Sequence, residues 1–198
     1  LKRHAFDLLA GLIGLGLAAV LLIAGGLLTW ANTFVGDQVH DQLAAQQIYF
    51  PKAGTEGLTE LKGADFDAIN KYAGQQLTTG DQAEAYADHF IAVHLNGIGG
   101  GQTYAQLSAQ AIANPDDQAL AGKVATMFKG ETLRGLLLNA YAFGKMGTIA
   151  GIAAIFAYAF GGLLAILGGL GLWHARRATE KDEILAPHAP KGRTPVTV

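Results

Sequence analysis

The residues of this chain best suited to chemistry are few, and the first group stands near the amino end. Asp37, His40 and Asp41 are spaced i, i+3 and i+4, so a helix would bring two carboxylates and an imidazole onto one face. Oxygen and imidazole donors suit a divalent metal, but three such residues need a further ligand from elsewhere in the chain. Without it they read as a solvated polar face. His89 and His94 are five residues apart, roughly 140° around a helix, and cannot share a metal as an i, i+4 pair does. His94 falls on an apolar stripe and is expected to be a hydrogen-bonded interior histidine. Asp81, Glu84 and Asp88 make an acidic row expected to face water.

Gly97-Ile98-Gly99-Gly100-Gly101 could bring bare backbone amides to an anion before a helix starting near Thr103. No strand pattern precedes it and no Lys-Ser or Lys-Thr follows, so the phosphate-loop and dinucleotide fingerprints both fail and a connector is expected. Ser108 and the threonines lack a nucleophile-elbow setting. Cysteine is absent, which excludes disulfides, thiolate zinc sites, iron–sulfur clusters and thioether-linked haem. No catalytic residue and no cofactor is predicted.

The elements that would position these groups follow from hydropathy. Of 198 residues, 51% are hydrophobic and 15% charged, and the charge deficit is concentrated in two places. Leu8 to Ala31 is 24 residues without a charge, and Thr148 to Trp173 is 26 residues without Asp, Glu, Lys, Arg or His. A 24-residue helix is about 36 Å long, against a hydrocarbon core of about 30 Å. Trp30 and Trp173, the only tryptophans, stand at ends of these stretches, as interfacial indoles do. The first stretch exceeds the apolar region of a signal peptide, and no clean small-x-small site follows Trp30. The missing initiator Met suggests numbering from the second residue, or a processed or incomplete end.

Lys2 and Arg3 precede the first span, and Arg176, Arg177 and Lys181 follow the second. Cationic residues stay on the cytoplasmic side, so both termini are predicted cytoplasmic and the protein is placed in the plasma membrane. The organisation expected is 1–7 cytoplasmic, 8–31 a first transmembrane helix, 32–147 an extracytoplasmic helical domain, 148–173 a second transmembrane helix, and 174–198 a largely disordered cytoplasmic tail. The middle holds 7 basic and 12 acidic residues, a balance opposed to nucleic-acid binding.

Within that middle the apolar positions recur at helical spacing. Phe66, Ile69, Ala73 and Leu77 form one stripe; Ala83, Tyr86, Ala87, Phe90, Ile91 and His94 a second; Tyr104, Leu107, Ala111 and Ile112 a third; Leu120, Val124, Met127 and Phe128 a fourth. Asn114-Pro115-Asp116-Asp117 predicts a helix start with Asn114 as cap and Pro115 in the first turn. Gly80, Gly97–Gly101 and Gly130 are expected at joints, and Pro51 to Gly63 in a surface loop. Val35, Val39 and Leu43 continue an i, i+4 line beyond the first span, and Leu133, Leu136, Leu137 and Tyr141 lead into the second. The fold class expected is therefore an all-α membrane protein whose two transmembrane helices extend into an extracytoplasmic helical bundle.

In the second span Ala153, Ala157, Gly161, Ala165 and Gly169 fall at four-residue steps, with a shorter row of Ala10, Gly14 and Ala18 in the first. Small residues let helices approach closely in lipid, so the rows predict packing of the two spans together or docking on another membrane subunit. The spans carry none of the ionisable groups that pumps and membrane-embedded haem proteins place in the bilayer.

With VHDQLAAQQIYFP, YADHFIAVHL, GQTYAQLSAQA, GETLRGLLLNAYAFGKMG and GLWHARR in place, the chain resembles, over about residues 35–178, a family of two-span actinobacterial membrane proteins of unassigned function. Its members are labelled hypothetical membrane protein or aromatic ring-opening dioxygenase. The resemblance implies a plasma-membrane protein with an outer helical domain and brings no catalytic residue; ring-opening chemistry needs an iron held by His and carboxylates. The expected function is that of a non-enzymatic accessory or scaffolding protein packed against a larger plasma-membrane complex, a respiratory one among the candidates. Its partners would be membrane lipid and that complex, or further copies of itself. The alternative is an extracytoplasmic metal- or ligand-binding protein, with enzymatic activity not required.

Overall fold

A computed structural model describes residues 3–177; the expected cytoplasmic tail from Ala178 onward and Lys2 lie outside the described residues. The fold is mostly helical, with no strand among the described residues. In chain order the helices are α1 (Arg3–Ala45), α2 (Glu56–Thr59), α3 (Gly63–Asn70), α4 (Gly80–Ala85), a π-helical segment (Tyr86–Ile91), α5 (Ala92–Gly99), α6 (Tyr104–Ala113) and α7 (Gln118–Arg177). α1 and α7 are each long and apolar enough to cross a membrane. Neither helix stops where its apolar stretch does: α1 is unbroken from Leu8 past Ala31 to Ala45, and α7 is helical for thirty residues before Thr148.

The chain divides into two compact units, one comprising residues up to Leu28 and from Ala153, the other Thr29–Ile152. In the first, the two helical segments lie antiparallel. Gly11 meets Gly168, Gly161 meets Leu21 and Leu22, and Gly25 meets Tyr158. The approach is that of backbone on backbone: a Cβ on Gly168 would stand 2.9 Å from the Gly11 carbonyl oxygen, and one on Gly11 3.0 Å from the Gly168 oxygen. Leu9, Leu12, Ile13, Leu17, Val20, Ile23, Ile155, Phe160, Leu163, Ile166, Leu167 and Leu170 face outward and are more than half exposed. An outer surface so large and apolar suits lipid and would be unsustainable in water.

The second unit has a single core. Leu43 from α1, Phe50, Leu58, Leu61, Ile69, Leu77, Ala83, Ala87, Ile91, Leu95, Leu107, and Met127 with Leu137 from α7 are all buried together. Phe50 is its aromatic hub, with ring centroids 5.2 Å from Tyr72 and 5.3 Å from Tyr86, and Tyr86 continues the stack to Phe90 and His94. Pro51 to Gly63 is largely exposed, as a surface loop is, but it holds the single turn of α2 and is pinned to the core by Leu58 and Leu61; before it the Phe50 N–H donates to the Gln75 carbonyl and the Leu77 N–H to that of Ile48.

The helix boundaries differ from sequence expectation in two places. Gly130 breaks nothing; it lies inside α7, where any side chain would collide with Leu95, so the glycine serves close packing. Asn114 closes α6 rather than opening α7, and the cap of α7 is Asp117, whose Oδ1 accepts the Leu120 N–H at 2.9 Å. Along α6, Leu107 is buried, but Ile112 is 80% exposed, so the third stripe is narrower than its spacing implies. Only the end of the glycine-rich run is a connector: Gly97 to Gly99 form the last turn of α5, while Gly100 and Gly101 have φ of 61° and 79°, and the Gly101 N–H donates to the Asn96 carbonyl, ending α5 in a left-handed cap.

Candidate functional site

The predicted metal candidates sit on the second unit's stretch of α1. Asp37, His40 and Asp41 are all exposed, and only the latter two meet: His40 Nδ1 is 3.2 Å from Asp41 Oδ1, with side chains 58% and 75% exposed. Among the described residues no group of three His, Asp or Glu side chains is placed to hold a metal ion. The further ligand that such a site would require is not brought in by another element.

The small-residue rows exist as a seam, but on a different line. The fully buried positions of α7 in the first unit are Ala154, Ala157, Gly161, Gly168 and Ala175; half-buried Leu164 and Gly171 complete an alternation of three- and four-residue steps, with Ala153, Gly162, Ala165 and Leu172 half-buried beside it. On α1 the fully buried positions are Gly11, Ala18 and Gly25, seven residues apart; half-buried Asp7, Gly14, Leu21 and Leu28 give the same alternation, with Leu15 and Ala24 half-buried beside it. A strict four-residue row drifts about 40° per step at 100° per residue, whereas the three–four alternation averages 3.5 and stays on the partner. Thus Ala157 and Gly161 of the predicted row are buried, Ala153 and Ala165 are half-buried, and Gly169 has left the seam with no neighbour that its Cβ would touch. Ala10 is likewise exposed, while Gly14 and Ala18 belong to the seam. The small residues join the two spans to each other. At the seam's end His4 Nδ1–H donates to the Ala175 carbonyl at 2.7 Å.

The richest polar constellation was not predicted. A cleft of about 260 Å³ in the second unit is lined by Ala68, Lys71, Tyr72, Asp81, Glu84, Ala85, His89 and Lys145. α4 is set by a capping box: Thr79 Oγ1 accepts the Gln82 N–H at 3.3 Å and Gln82 Oε1 accepts the Thr79 N–H at 3.1 Å. Gln82, the only buried polar residue of the core among those described, also accepts the Thr78 N–H at 2.8 Å. This anchors Asp81 and Glu84 at the cleft. The π-helical turn that follows carries His89, whose Nδ1–H donates to Asp65 Oδ1 on α3 at 2.7 Å. A carboxylate only accepts, so the proton stands on Nδ1 and Nε2 remains for a ligand.

Nor is the acidic row merely solvated. Asp81 pairs with Lys145 at 2.9 Å and Asp88 with Arg134 at 2.8 Å, both cations on α7. The hydrogen bond that Lys145 donates to Asp81 raises the Lys145 pKa, and the one that Arg134 donates to Asp88 raises the Arg134 pKa. Burial raises the Tyr86 phenol. The Lys71 ammonium lies 4.9 Å from the Tyr72 ring centroid. His94 has the predicted interior role, its Nδ1–H donating to the Phe90 carbonyl at 2.6 Å.

A second concavity of about 470 Å³ lies between α1 and α7 of the same unit, lined by Phe34, Val35, Gln38, Val39, Gln42 and Leu43 of α1, Gln46 just beyond it, and Leu136, Asn139, Ala140 and Phe143 of α7. It holds no ionisable group. Its polar members are carboxamides, Gln38 and Gln42 at i, i+4 on α1 with Gln46 just past its end and Asn139 opposite, and Phe34, Leu136 and Phe143 are at least half exposed.

No protein-family model matches the chain, and neither a curated protein nor a solved structure does.

Proposed function

We propose that the chain is a two-span plasma-membrane protein, akin to the actinobacterial family it resembles, with both termini cytoplasmic and residues 32–147 outside. In this reading it performs no chemistry of its own and acts as an accessory or scaffolding subunit of a larger membrane complex. The observation that carries it is the uncharged groove between α1 and α7. Because the small residues are consumed in joining the spans, a partner must use another surface. The groove offers exposed Phe34, Leu136 and Phe143 together with amide donors and acceptors. Its occupant would be a helix of a membrane subunit, apolar and without charges opposite the groove, crossing the interface where Phe34 follows Ala31. Such exposed aromatic anchors are the usual centres of binding energy.

Extraction in mild detergent followed by native mass measurement tests this. A defined complex is expected from the wild type and its loss from Leu136→Glu/Phe143→Glu, with helical content retained. A solitary wild-type protein would overturn the reading. Ligand binding by the outer domain is the second reading, favoured by the His89–Asp65 pair at 2.7 Å in a cleft with two lysines.

A further inference from the structure

We propose that the His89 cleft binds the phosphate–ammonium headgroup of a zwitterionic membrane lipid, phosphatidylethanolamine by chemistry. The inference rests on the reading of α7 as a membrane span. Lys145, on the cleft wall, precedes Thr148 by three residues, a rise of about 4.5 Å along the helix. The polar zone on each side of a bilayer is about 5–8 Å deep, so the cleft opens at headgroup level.

Its charges fit a zwitterion and not an anion. Asp65, Asp81 and Glu84 stand against Lys71 and Lys145, so with His89 neutral the surroundings carry one negative charge in excess. Three groups retain unused capacity. Among the described residues Lys71 makes no ion pair, Glu84 makes no hydrogen bond or ion pair and acts on Lys145 only through its field, and His89 Nε2 is left over once Nδ1 is bound to Asp65. Lys71 would meet the phosphate, while Glu84, with Asp81 beside it and His89 Nε2 as a further acceptor, would meet the ammonium. A primary ammonium donates charge-assisted hydrogen bonds to carboxylates; a quaternary one cannot and asks for an aromatic cage. The cleft has one ring, Tyr72, already under Lys71. At about 260 Å³ it is small for a whole amphiphile, so only the headgroup would enter.

The experiment uses the full chain in nanodiscs of equal phosphatidylethanolamine and phosphatidylglycerol, with retained lipids identified by native mass spectrometry. Retained lipid is expected to favour phosphatidylethanolamine about tenfold over the bulk ratio, the scale of one charge-assisted hydrogen bond. Glu84→Gln, nearly isosteric at a half-buried position, should return that ratio toward the bulk value, and Lys71→Met should lower retention of both lipids. Wild-type retention at the bulk ratio, or a preference unchanged in Glu84→Gln with helical content intact, would overturn the proposal. Saturable binding of soluble glycerophosphoethanolamine without lipid preference would assign the cleft to a free ligand and overturn the lipid source. Release of the chain from membranes by alkaline carbonate would instead overturn the membrane reading itself.

Discussion

Gly168 and Gly169 are neighbours in sequence and opposites in surroundings, which makes them a stringent test of the seam. A Cβ on Gly168 would lie 2.9 Å from the Gly11 oxygen and 3.0 Å from Leu15 Cγ, whereas ordinary contact begins near 3.4 Å; a Cβ on Gly169 meets nothing. Even alanine at 168 must therefore part the helices by about 0.5 Å, and leucine by more. A gap of 0.5–1 Å forfeits a quarter to a half of each van der Waals well, and roughly 40 atom pairs at about 0.15 kcal/mol give a seam of about 6 kcal/mol. The loss is about 1.5–3 kcal/mol, in line with overpacking costs elsewhere. That is roughly a 10- to 150-fold shift in helix association. SDS titration from mild detergent, followed by Trp173 fluorescence in a Trp30→Phe background, measures it, since these are the only two tryptophans. Gly168→Leu should unfold at clearly lower SDS and Gly169→Leu with the wild type. Equal sensitivity of the two, or destabilisation by Gly169→Leu alone, would refute the three–four seam and restore the four-residue row.

Two further outcomes concern the second unit. The pKa values of Lys145 and Tyr86 are raised above their ordinary 10.5 and 10.0, so their stabilisation is complete below those values and lost as pH rises through the folded-state pKa. The thermal midpoint should stay level up to about pH 10 and fall above it, less steeply in Asp81→Asn and Tyr86→Phe; an identical alkaline fall in both variants would remove these groups as its cause. Gln82→Met leaves the Thr78 and Thr79 N–H groups without their acceptor and should cost about 2–4 kcal/mol in urea unfolding at unchanged m-value, against no more than about 0.5 kcal/mol for an exposed control such as Gln102→Met.

Long apolar runs are legible because their signal is composition, which needs no partner: Leu8–Ala31 and Thr148–Trp173 both fall inside single helices. The same holds for Ile69, Leu77 and Met127, core positions fixed by helical period. Contact lines are less legible. The row ending at Gly169 is a regularity of one helix, whereas a seam depends on how two helices follow each other. The His89 cleft was hidden for a related reason. Asp65 and His89 are 24 residues apart and their encounter follows from the packing of α3 on the π-helical turn, which no local pattern announces. The acidic row of Asp81, Glu84 and Asp88 was read as facing water because its partners, Lys145 and Arg134, lie 46 or more residues away. Gly130 carried the signature of a break, and only Leu95 across the core reveals its use.

The seam of glycine and alanine has a thermodynamic character of its own. Gly11, Ala18, Gly25, Ala157, Gly161 and Gly168 have no rotamers to lose, so the helices can meet without freezing any side-chain motion at these positions. Most of the long, flexible side chains face outward and keep their rotamers, and at the contact only leucines such as Leu15, Leu21, Leu28, Leu164 and Leu172 are half-buried. Cohesion at these six positions is thus separated from side-chain ordering, and the side-chain entropy lost on association falls on the leucines that flank them.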